Sequence, residues 1–396
     1  MSRGYVELRS QESGGERMKK NEIYKIYGRN YKEMTKSLLE ASDLSDRIPS
    51  GSHIGIKPNL VSPTPAEYGA TTHPEVVAGI IEYLQEHGEK HITILESSWI
   101  GDKTSDAYEY CGYRQLSEIY QVPLRDLQKE KSSPTDCAGM KLRICDRVND
   151  IDFLINVPVM KGHGQTKITC ALKNMKGLIP NGEKRHFHTM GLHQPIAHLN
   201  SRIHQDFIVV DHICGDLELE DGGNPIEKNC IMTALDPVLM DAYVCHLLGY
   251  DVEEVPYIGL SEALGVGSKD LSDCQITILK NVSGTEKLRT FSALEEDWFD
   301  PAGSPSENLL DISYAIEDAD SCSACYASLA PAILRLKEEG LYDELLAKLS
   351  GKICIGQGFS GQTGRIGVGQ CCRNFDQYVP GCPPEEEEVY EFLKGL

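Results

Sequence analysis

The sequence has 396 residues, more than one hydrophobic core normally serves, so a large α/β unit and a smaller companion are expected. Its formal net charge of −21 argues against nonspecific binding to nucleic acid or anionic lipid, because both require a basic surface. No apolar run reaches the roughly 20 residues that span a bilayer, and the charged N-terminus lacks the apolar centre of a signal peptide. We therefore expect a cytoplasmic protein that has neither nucleic acid nor a membrane as its partner.

Apolar runs of strand length recur along the first 280 residues. They lie at 54–60, 91–97, 152–159, 206–213, 229–235 and 274–280. Most are nearly continuous, which is typical of strands buried on both faces. Helical patterns separate some of them: one begins at Pro74 and stops at Gly88, and another follows Asp236-Pro237 and stops at Gly249. Strands that alternate with helices indicate an α/β fold with a mostly parallel sheet flanked by helices.

Hydrophobic periodicity weakens between about residues 281 and 318, where turn-forming residues accumulate. We place a domain boundary in this stretch, with an α/β domain over residues 1–300 and a smaller α/β segment over 301–396. In the second segment, residues 331–351 have an amphipathic helical pattern, and KICI, which ends at Cys354-Ile355, resembles a short strand. The acidic run at 385–388 is expected to open a terminal helix.

Cysteines are concentrated near the C-terminus, where six of the fourteen occupy the last 75 residues. They are Cys322, Cys325, Cys354, Cys371, Cys372 and Cys382. In a large chain without an export signal, cysteines indicate thiols or metal ligands rather than disulfides. Cys322 and Cys325 form a C-x-x-C pair, which lets two thiolates reach one centre from a single turn. Two more distant cysteines would complete a four-thiolate site for zinc or an iron–sulfur cluster.

The details of the pattern favour a cluster over zinc or a redox disulfide. Structural zinc usually uses two short cysteine pairs, and only one is present here. Cys382 is followed by Pro383, and Cys-Pro is common at cluster ligands. A proline also starts a helix, so the Cys382 thiolate would lie near a positive helix N-terminus. Glycines between 356 and 369 would let backbone N–H groups approach the sulfurs.

The C-terminal motifs resemble a known cluster site. CSAC (322–325), a later single cysteine and VPGCPP (379–384) resemble the proximal-cluster pattern of the nickel–iron hydrogenase small subunit and its counterpart in respiratory NADH dehydrogenase. Together with the G-x-C at 369–371, the resemblance implies a [4Fe–4S] cluster. Its ligands would be Cys322, Cys325, Cys371 and Cys382. The adjacent Cys372 departs from the pattern and leaves the choice between 371 and 372 open, and Cys354 is assigned to a strand.

A wider resemblance covers roughly residues 50–280, where six motifs occur in order. They are KPNLV (57–61), TTHPE (71–75), VMKGHG (159–164), LKNMKG (172–177), VVDHI (209–213) and DPVLMDAYVCHLLG (236–249). Together they resemble the domain of unknown function 362 family, in which iron–sulfur ligands often accompany the domain. The accompanying pattern, C-x-x-C, G-x-C and GCPP, resembles the C-terminal segment here, and by that pattern Cys371 is the third ligand. The resemblance implies the fold and a cluster but no activity, since the family has no established reaction.

Polar residues that follow the predicted strands indicate a ligand site, because ligands of open α/β sheets bind beyond the carboxyl ends of the strands. The candidates are Lys57, Asn59, His73, Lys161, His163, Lys173, Asn174 and Asp211. Three lysines with histidines and amides would suit a carboxylate or phosphate, or polarise a carbonyl. Two alternatives remain: a single such lysine is more often a solvated surface residue, and His73 fits equally well as a helix-entry residue before Pro74.

Three functions are compatible with these features. The first is a redox protein, or an oxidoreductase-like enzyme, whose cluster exchanges electrons with a small anionic ligand. The second is a noncatalytic electron-transfer or accessory protein that serves a redox partner protein. The third is a nonredox carboxylate-acting enzyme with a structural cluster. The first requires Lys57, Lys161 and Lys173 to face one cleft that opens toward the cysteines, whereas separate solvent faces would favour the second.

Overall fold

A computed structural model of the chain describes residues 17–217, 219–280, 286–296, 309, 312–349 and 351–396. Within these residues, a nine-stranded sheet and a separate four-stranded parallel sheet form the two frameworks of the protein. The expected fold class is confirmed: a mostly parallel sheet flanked by helices, with a smaller C-terminal α/β segment. The boundary expected at residue 300 lies outside the described residues.

The nine-stranded sheet contains most of the strands before residue 296. The strands in this region are β1 (Glu22–Tyr27), β2 (Ile54–Pro58), β3 (Ile92–Glu96), β4 (Leu124–Asp126), β5 (Ser132–Cys137), β6 (Met140–Cys145), β7 (Phe153–Val157), β8 (Lys161–His163), β9 (Lys167–Thr169), β10 (Phe207–Asp216), β11 (Pro225–Ala234), β12 (Gln275–Leu279) and β13 (Lys287–Ser292). The sheet order is β13-β12-β1-β11-β10-β7-β2-β3-β4, while β5–β6 and β8–β9 are separate hairpins. Strands β10, β7, β2, β3 and β4 run parallel to one another.

Helices cover both faces of this sheet. They are α1 (Tyr31–Ala41), α2 (Pro74–Glu86), α3 (Thr104–Tyr110), α4 (Tyr113–Tyr120), α5 (Ala171–Asn174), α6 (Asn181–Thr189), α7 (His193–Arg202), α8 (Pro237–Leu247) and α9 (Pro256–Ala263). Side chains of a strand alternate between faces, so Leu154 of β7 packs in one apolar core while Phe153 and Ile155 pack in the other. Burial on both faces explains why the strands are continuous apolar runs.

Both predicted helices are confirmed. Helix α2 begins at Pro74 and ends at Glu86, just before Gly88, whose φ is +87°. Helix α8 begins at Pro237, and the Asp236 carboxylate accepts hydrogen bonds from two backbone N–H groups of its first turn, at 2.8 and 3.1 Å. Proline and the capping carboxylate therefore have the roles that the sequence indicated.

The structure differs from the sequence prediction at two places in the sheet. Strand β10 continues to Asp216, and the next strand, β11, is antiparallel to it. The connection, which contains Gly222 and Gly223, is too short for the crossover helix that a parallel neighbour would need. Strand β13 lies inside the stretch of weak periodicity and pairs with β12 at the edge of the sheet. Strand β1 and helix α1 precede the first element that the sequence indicated.

The C-terminal segment has its own parallel sheet and its own apolar core. Its elements are β14 (Ile316–Asp318), α10 (Ser323–Glu338), α11 (Tyr342–Lys348), β15 (Ile353–Ile355), β16 (Ile366–Val368), β17 (Gln377–Val379) and α12 (Glu386–Lys394). The helix expected over 331–351 is two helices that Gly340 separates, at φ +74°. The helix expected to start at Pro383 starts at Glu386 instead, so it is Cys322, the N-cap of α10, that lies at a helix N-terminus.

Candidate functional site

A cavity lies at the carboxyl edge of β2, β3 and β7. Five lysines line it, and we call it the lysine cavity: Lys57, Lys161, Lys173, Lys176 and Lys184. Of the residues singled out from the sequence, Lys57, Asn59, Lys161, Lys173 and Asn174 line it, whereas His73, His163 and Asp211 do not. The three lysines chosen from their position after strands thus face one cavity rather than separate solvent faces.

Lys57 is held by a buried ion pair at the floor of this cavity. Its ammonium donates to Glu96 Oε2 at 2.8 Å, to the carbonyl oxygen of Pro58 at 2.7 Å and to Asn174 Oδ1 at 3.1 Å, so all three N–H groups are used. Burial lowers the pKa of Lys57, and the Glu96 carboxylate opposes that shift. A Cβ on Gly177 would lie 1.9 Å from Glu96 Oε1, so the pair requires a glycine there.

A second buried carboxylate, Glu220, neutralises Lys173. It accepts from Lys173 Nζ at 2.9 Å and lies 2.7 Å from His163 Nε2. His163 Nδ1 accepts the backbone N–H of Gln165 at 2.9 Å, so the ring proton is assigned to Nε2 and points at the carboxylate. Burial lowers the pKa of His163 to about 4, and the ring is therefore neutral. Burial alone would raise the pKa of Glu220, but the hydrogen bond from the neutral His163 ring and the Lys173 ammonium outweigh it and hold that pKa well below its usual range.

Lys161 and Lys184 are held by neutral oxygens. Lys161 donates to the carbonyl oxygens of Ala70 and Glu220, both at 2.5 Å. Lys184 donates to the carbonyl and hydroxyl oxygens of Ser97 and to the next carbonyl along the chain. Burial is the main cause that lowers the pKa of each lysine to about 7. Either ammonium would gain from a nearby anion, which would raise its pKa again.

Three polar groups of the lysine cavity lack a partner within the described part of the chain. Lys176 is half-buried, and its side-chain nitrogen has no hydrogen bond or ion pair there. Desolvation, followed by the Lys173 ammonium, lowers the pKa of Lys176 to about 7. Asn59 Oδ1 and His188 Nδ1 are buried and unpaired. Our sequence reasoning missed Lys176 as a site residue, although its spacing of three from Lys173 places both on one face of a helical turn.

His73 and Asp211 form an ion pair outside the lysine cavity, so the structure does not bring these two candidates together with the lysines. His73 Nδ1 and its backbone N lie 2.8 and 2.7 Å from Asp211 Oδ2, at the start of α2. Burial opposes the charge on His73, but the carboxylate outweighs it and raises the pKa of His73 to about 11. His73 is the N-cap residue of α2, the position that the helix-entry interpretation gives it. Asp211 lies within β10 rather than at its end, and a ligand-binding role for either residue stays a prediction.

This pair predicts a pH dependence of stability. The pKa of His73 in the folded protein lies above its ordinary value of 6.5. The stability that the pair contributes is therefore complete below pH 6.5 and is lost as the pH rises toward about 11. The variant His73→Gln should lose less stability than the wild type between about pH 7 and pH 10. Urea unfolding across that range tests this, with the exposed His204→Gln as the control. Equal slopes for His73→Gln and the wild type would disprove the ion pair.

The four cysteines proposed as ligands line a second cavity, which we call the cysteine cavity: Cys322, Cys325, Cys371 and Cys382. They follow β14, β16 and β17, so this cavity lies at the carboxyl edge of the small sheet. Burial raises the pKa of Cys322 to about 11, and Cys382 and Cys371 add to the shift, which Arg185 opposes. The pKa of Cys325 is raised by burial and by the other three. The four thiols are thus close enough to interact.

The other two C-terminal cysteines do not line this cavity. Cys372 is buried, and its Sγ lies 3.3 Å from the carbonyl oxygen of Cys354. Cys354 lies on β15, as expected, with its Sγ 3.9 Å from a Glu317 carboxylate oxygen. The structure therefore places Cys371, rather than Cys372, beside Cys322.

The turn at residues 322–325 lies between the two cavities, and we call it the shared wall. Ser323 and Ala324, between the two cysteines of the C-x-x-C pair, line the lysine cavity. On α6, Lys184 lines the lysine cavity and the next residue, Arg185, lines the cysteine cavity. The loop after β3 also approaches the cysteine segment, because a Cβ on Gly101 would lie 2.5 Å from Pro383 Cδ. A ligand in one cavity would therefore lie beside the other.

Comparisons with known proteins match parts of this chain. Residues 54–246 match the family described as "Domain of unknown function (DUF362)", a range that includes all five cavity lysines and ends before the four cysteines. "Thylakoid-associated protein sll1697" of Synechocystis sp. (strain ATCC 27184 / PCC 6803 / Kazusa) is 24% identical over 241 residues, which are 58% of this chain and 74% of that protein.

One solved structure matches part of this chain. It is the lactate racemase apoprotein from Thermoanaerobacterium thermosaccharolyticum, with a TM-score of 0.41 and 13% sequence identity. The match covers 57% of this chain and 56% of that one, so this chain spans little more than half of that protein's length.

Two further features of the structure concern membrane-spanning helices and metal sites. Among the described residues, none of the helices is long and apolar enough to cross a bilayer. The cytoplasmic location stays a prediction. In the same part of the chain, no three His, Cys, Asp or Glu side chains are arranged to hold a single metal ion.

Proposed function

We propose that this chain is a redox protein that binds a [4Fe–4S] cluster in the cysteine cavity and a small anion in the lysine cavity. The observation that carries the proposal is the shared wall, since the turn that bears Cys322 and Cys325 also lines the lysine cavity through Ser323 and Ala324. A cluster of this type exchanges single electrons. The shared wall would put a bound anion within its electrostatic influence.

The cysteine cavity has the donor set that such a cluster requires. Each of the four irons takes one thiolate, so the four cysteines need to surround a volume rather than converge on one point. Cys322, Cys325, Cys371 and Cys382 surround one cavity in this way. A glycine at 369, with φ +88°, keeps the wall beside Cys325 Sγ thin, since a Cβ there would lie 3.6 Å from the sulfur. These residues fit the group.

The lysine cavity has an excess of positive charge. Lys57 and Lys173 are neutralised by carboxylates, but Lys161, Lys176 and Lys184 have no carboxylate at hydrogen-bonding distance within the described chain. Because a lysine ammonium has three N–H donors, Lys161 and Lys173 each keep one for a ligand and Lys176 keeps three. A carboxylate or phosphate with about two negative charges would match this arrangement.

An anaerobic redox titration with oxalate tests the proposal. The bound dianion should lower the midpoint potential of the cluster, because its negative charge opposes the added electron. Lys161→Met should raise the Kd for oxalate roughly tenfold, since it removes one charge-assisted hydrogen bond, while the exposed Lys141→Met should leave it unchanged. Oxalate that binds without moving the potential would favour the electron-transfer or accessory function. Absence of oxalate binding would rule out the anion site.

A further inference from the structure

We propose that Lys176 forms an imine with the carbonyl carbon of an anionic aldehyde or ketone held in the lysine cavity. This inference rests on the proposed function and deepens it, because it names the class of substrate as a carbonyl compound that carries a carboxylate or phosphate group.

Lys176 differs from the other four lysines of the cavity in its hydrogen bonds. Lys57 and Lys184 each have at least three oxygen acceptors, so their ammonium groups are saturated. Lys161 and Lys173 each have two. The Lys176 nitrogen has none within the described residues, although its side chain lines the same cavity. It is therefore the amine that can approach a ligand atom without breaking an existing contact.

The surroundings of Lys176 favour its neutral, nucleophilic form. A lysine becomes a nucleophile near pH 7 when it is desolvated or lies beside another cation. Both conditions hold here, since the half-buried Lys176 is partly desolvated in the cavity and the Lys173 and Lys184 ammonium groups oppose its charge. Glu220 and Cys322 favour the charge, but they do not outweigh these effects. These effects lower the pKa of Lys176 to about 7, so about half of the amine is neutral at that pH.

The cavity also supplies a group that can relay protons. Burial, followed by the Lys176 charge, lowers the pKa of His188 well below its usual range, so the ring is neutral. Its Nδ1 is buried without a partner in the described part of the chain, and the side chain lines the cavity. Imine formation needs such a relay, because protons must move from the amine to the departing oxygen.

The step balances without an oxidant or reductant. The neutral Lys176 nitrogen forms a bond to the carbonyl carbon, and the π electrons move to the oxygen, which takes up a proton. The hydroxyl group then leaves with a second proton as water while the carbon–nitrogen double bond forms. The two protons that reach the oxygen are those lost by the amine. The spare N–H groups of Lys161 and Lys173 would hold the anionic end of the ligand.

Reductive trapping with glyoxylate, which is both an aldehyde and a carboxylate, tests the inference. The full-length, anaerobically purified protein would be treated with a limiting amount of glyoxylate and cyanoborohydride near pH 7, then digested and analysed by mass spectrometry. We expect carboxymethylation of Lys176 at least about tenfold faster than of the exposed Lys141 or Lys90, because each unit of pKa changes the neutral fraction about tenfold. Excess oxalate should protect Lys176 and leave the exposed lysines unprotected.

The outcomes separate this inference from the proposed function. Modification of Lys141 and Lys90 without Lys176, or modification of Lys176 that oxalate does not prevent, would overturn imine formation in the cavity. Calorimetric binding of oxalate to the same sample reports on the anion site independently. If oxalate binds and Lys176 is not trapped, the anion site stands and the carbonyl chemistry falls. A Lys176→Arg variant should still bind oxalate, because arginine keeps the charge.

Discussion

Replacement of any one of Cys322, Cys325, Cys371 and Cys382 by serine should abolish the cluster. The anaerobically purified wild-type protein should contain about four irons and four sulfides per chain. The reason is geometric: each of Cys322, Cys325, Cys371 and Cys382 lines the same cavity, and each would bind a different iron. Iron and acid-labile sulfide analysis, together with the visible absorption of the cluster, measures the loss. Zinc without sulfide in the wild-type protein would refute the assignment.

The two remaining C-terminal cysteines provide matched controls. Cys372→Ser and Cys354→Ser should keep the full iron and sulfide content, because neither side chain lines the cysteine cavity. The comparison of Cys371→Ser with Cys372→Ser is the sharpest, since the two residues are adjacent and only the first lines the cavity. Loss of the cluster in Cys372→Ser, with retention in Cys371→Ser, would reverse the choice.

Gly177→Ala should destabilise the large domain by about 3–5 kcal/mol, the cost of breaking a buried ion pair. A Cβ at this position would lie 1.9 Å from Glu96 Oε1 and 2.4 Å from Lys57 Cε, so the methyl group would push the pair apart. Neither partner could turn to solvent, since the side chains are 1% and 2% exposed. Denaturation by urea, followed by circular dichroism, measures the change.

Gly182→Ala is the matched control for that experiment. A Cβ at Gly182, near the start of α6, would meet nothing within 4 Å. Alanine replaces glycine in a helix with a gain of roughly 0.5–1 kcal/mol, so this variant should be as stable as the wild type or slightly more stable. If Gly177→Ala behaved in the same way, the Lys57–Glu96 pair would not be rigidly held.

The sequence predicts the framework well where local signals and tertiary packing agree. Helix α8 has an Asp-Pro start and strands such as β7 are continuous apolar runs, so the pattern alone locates them. The β10–β11 hairpin was missed because β10 is buried throughout its length, so its apolar character resembles that of a parallel strand. Whether two neighbouring strands are parallel or antiparallel depends on the segment that joins them. The sequence signal for an antiparallel pair here is the Gly222-Gly223 turn.

The site is less predictable than the framework, because it depends on partners that are distant in sequence. The strand-end rule located Lys57, Lys161 and Lys173, since parallel strands align their carboxyl ends. It could not reveal that Glu96 and Glu220 neutralise two of them, nor that Lys176 is unpaired. Burial and pairing follow from contacts between segments up to 117 residues apart, such as Lys57 with Asn174.

Both cavities lie at the carboxyl edges of the two sheets, and these edges face each other. The loops at the carboxyl edges are therefore constrained by the cavities, whereas the turns at the opposite edges are not. The turns that lead into β2 and β3 lie at the opposite edge of the large sheet. Relatives of this protein should accumulate insertions and deletions in these entry turns and keep the exit loops at constant length. A tag or reporter inserted in the turn at residues 87–91 should therefore leave both cavities intact.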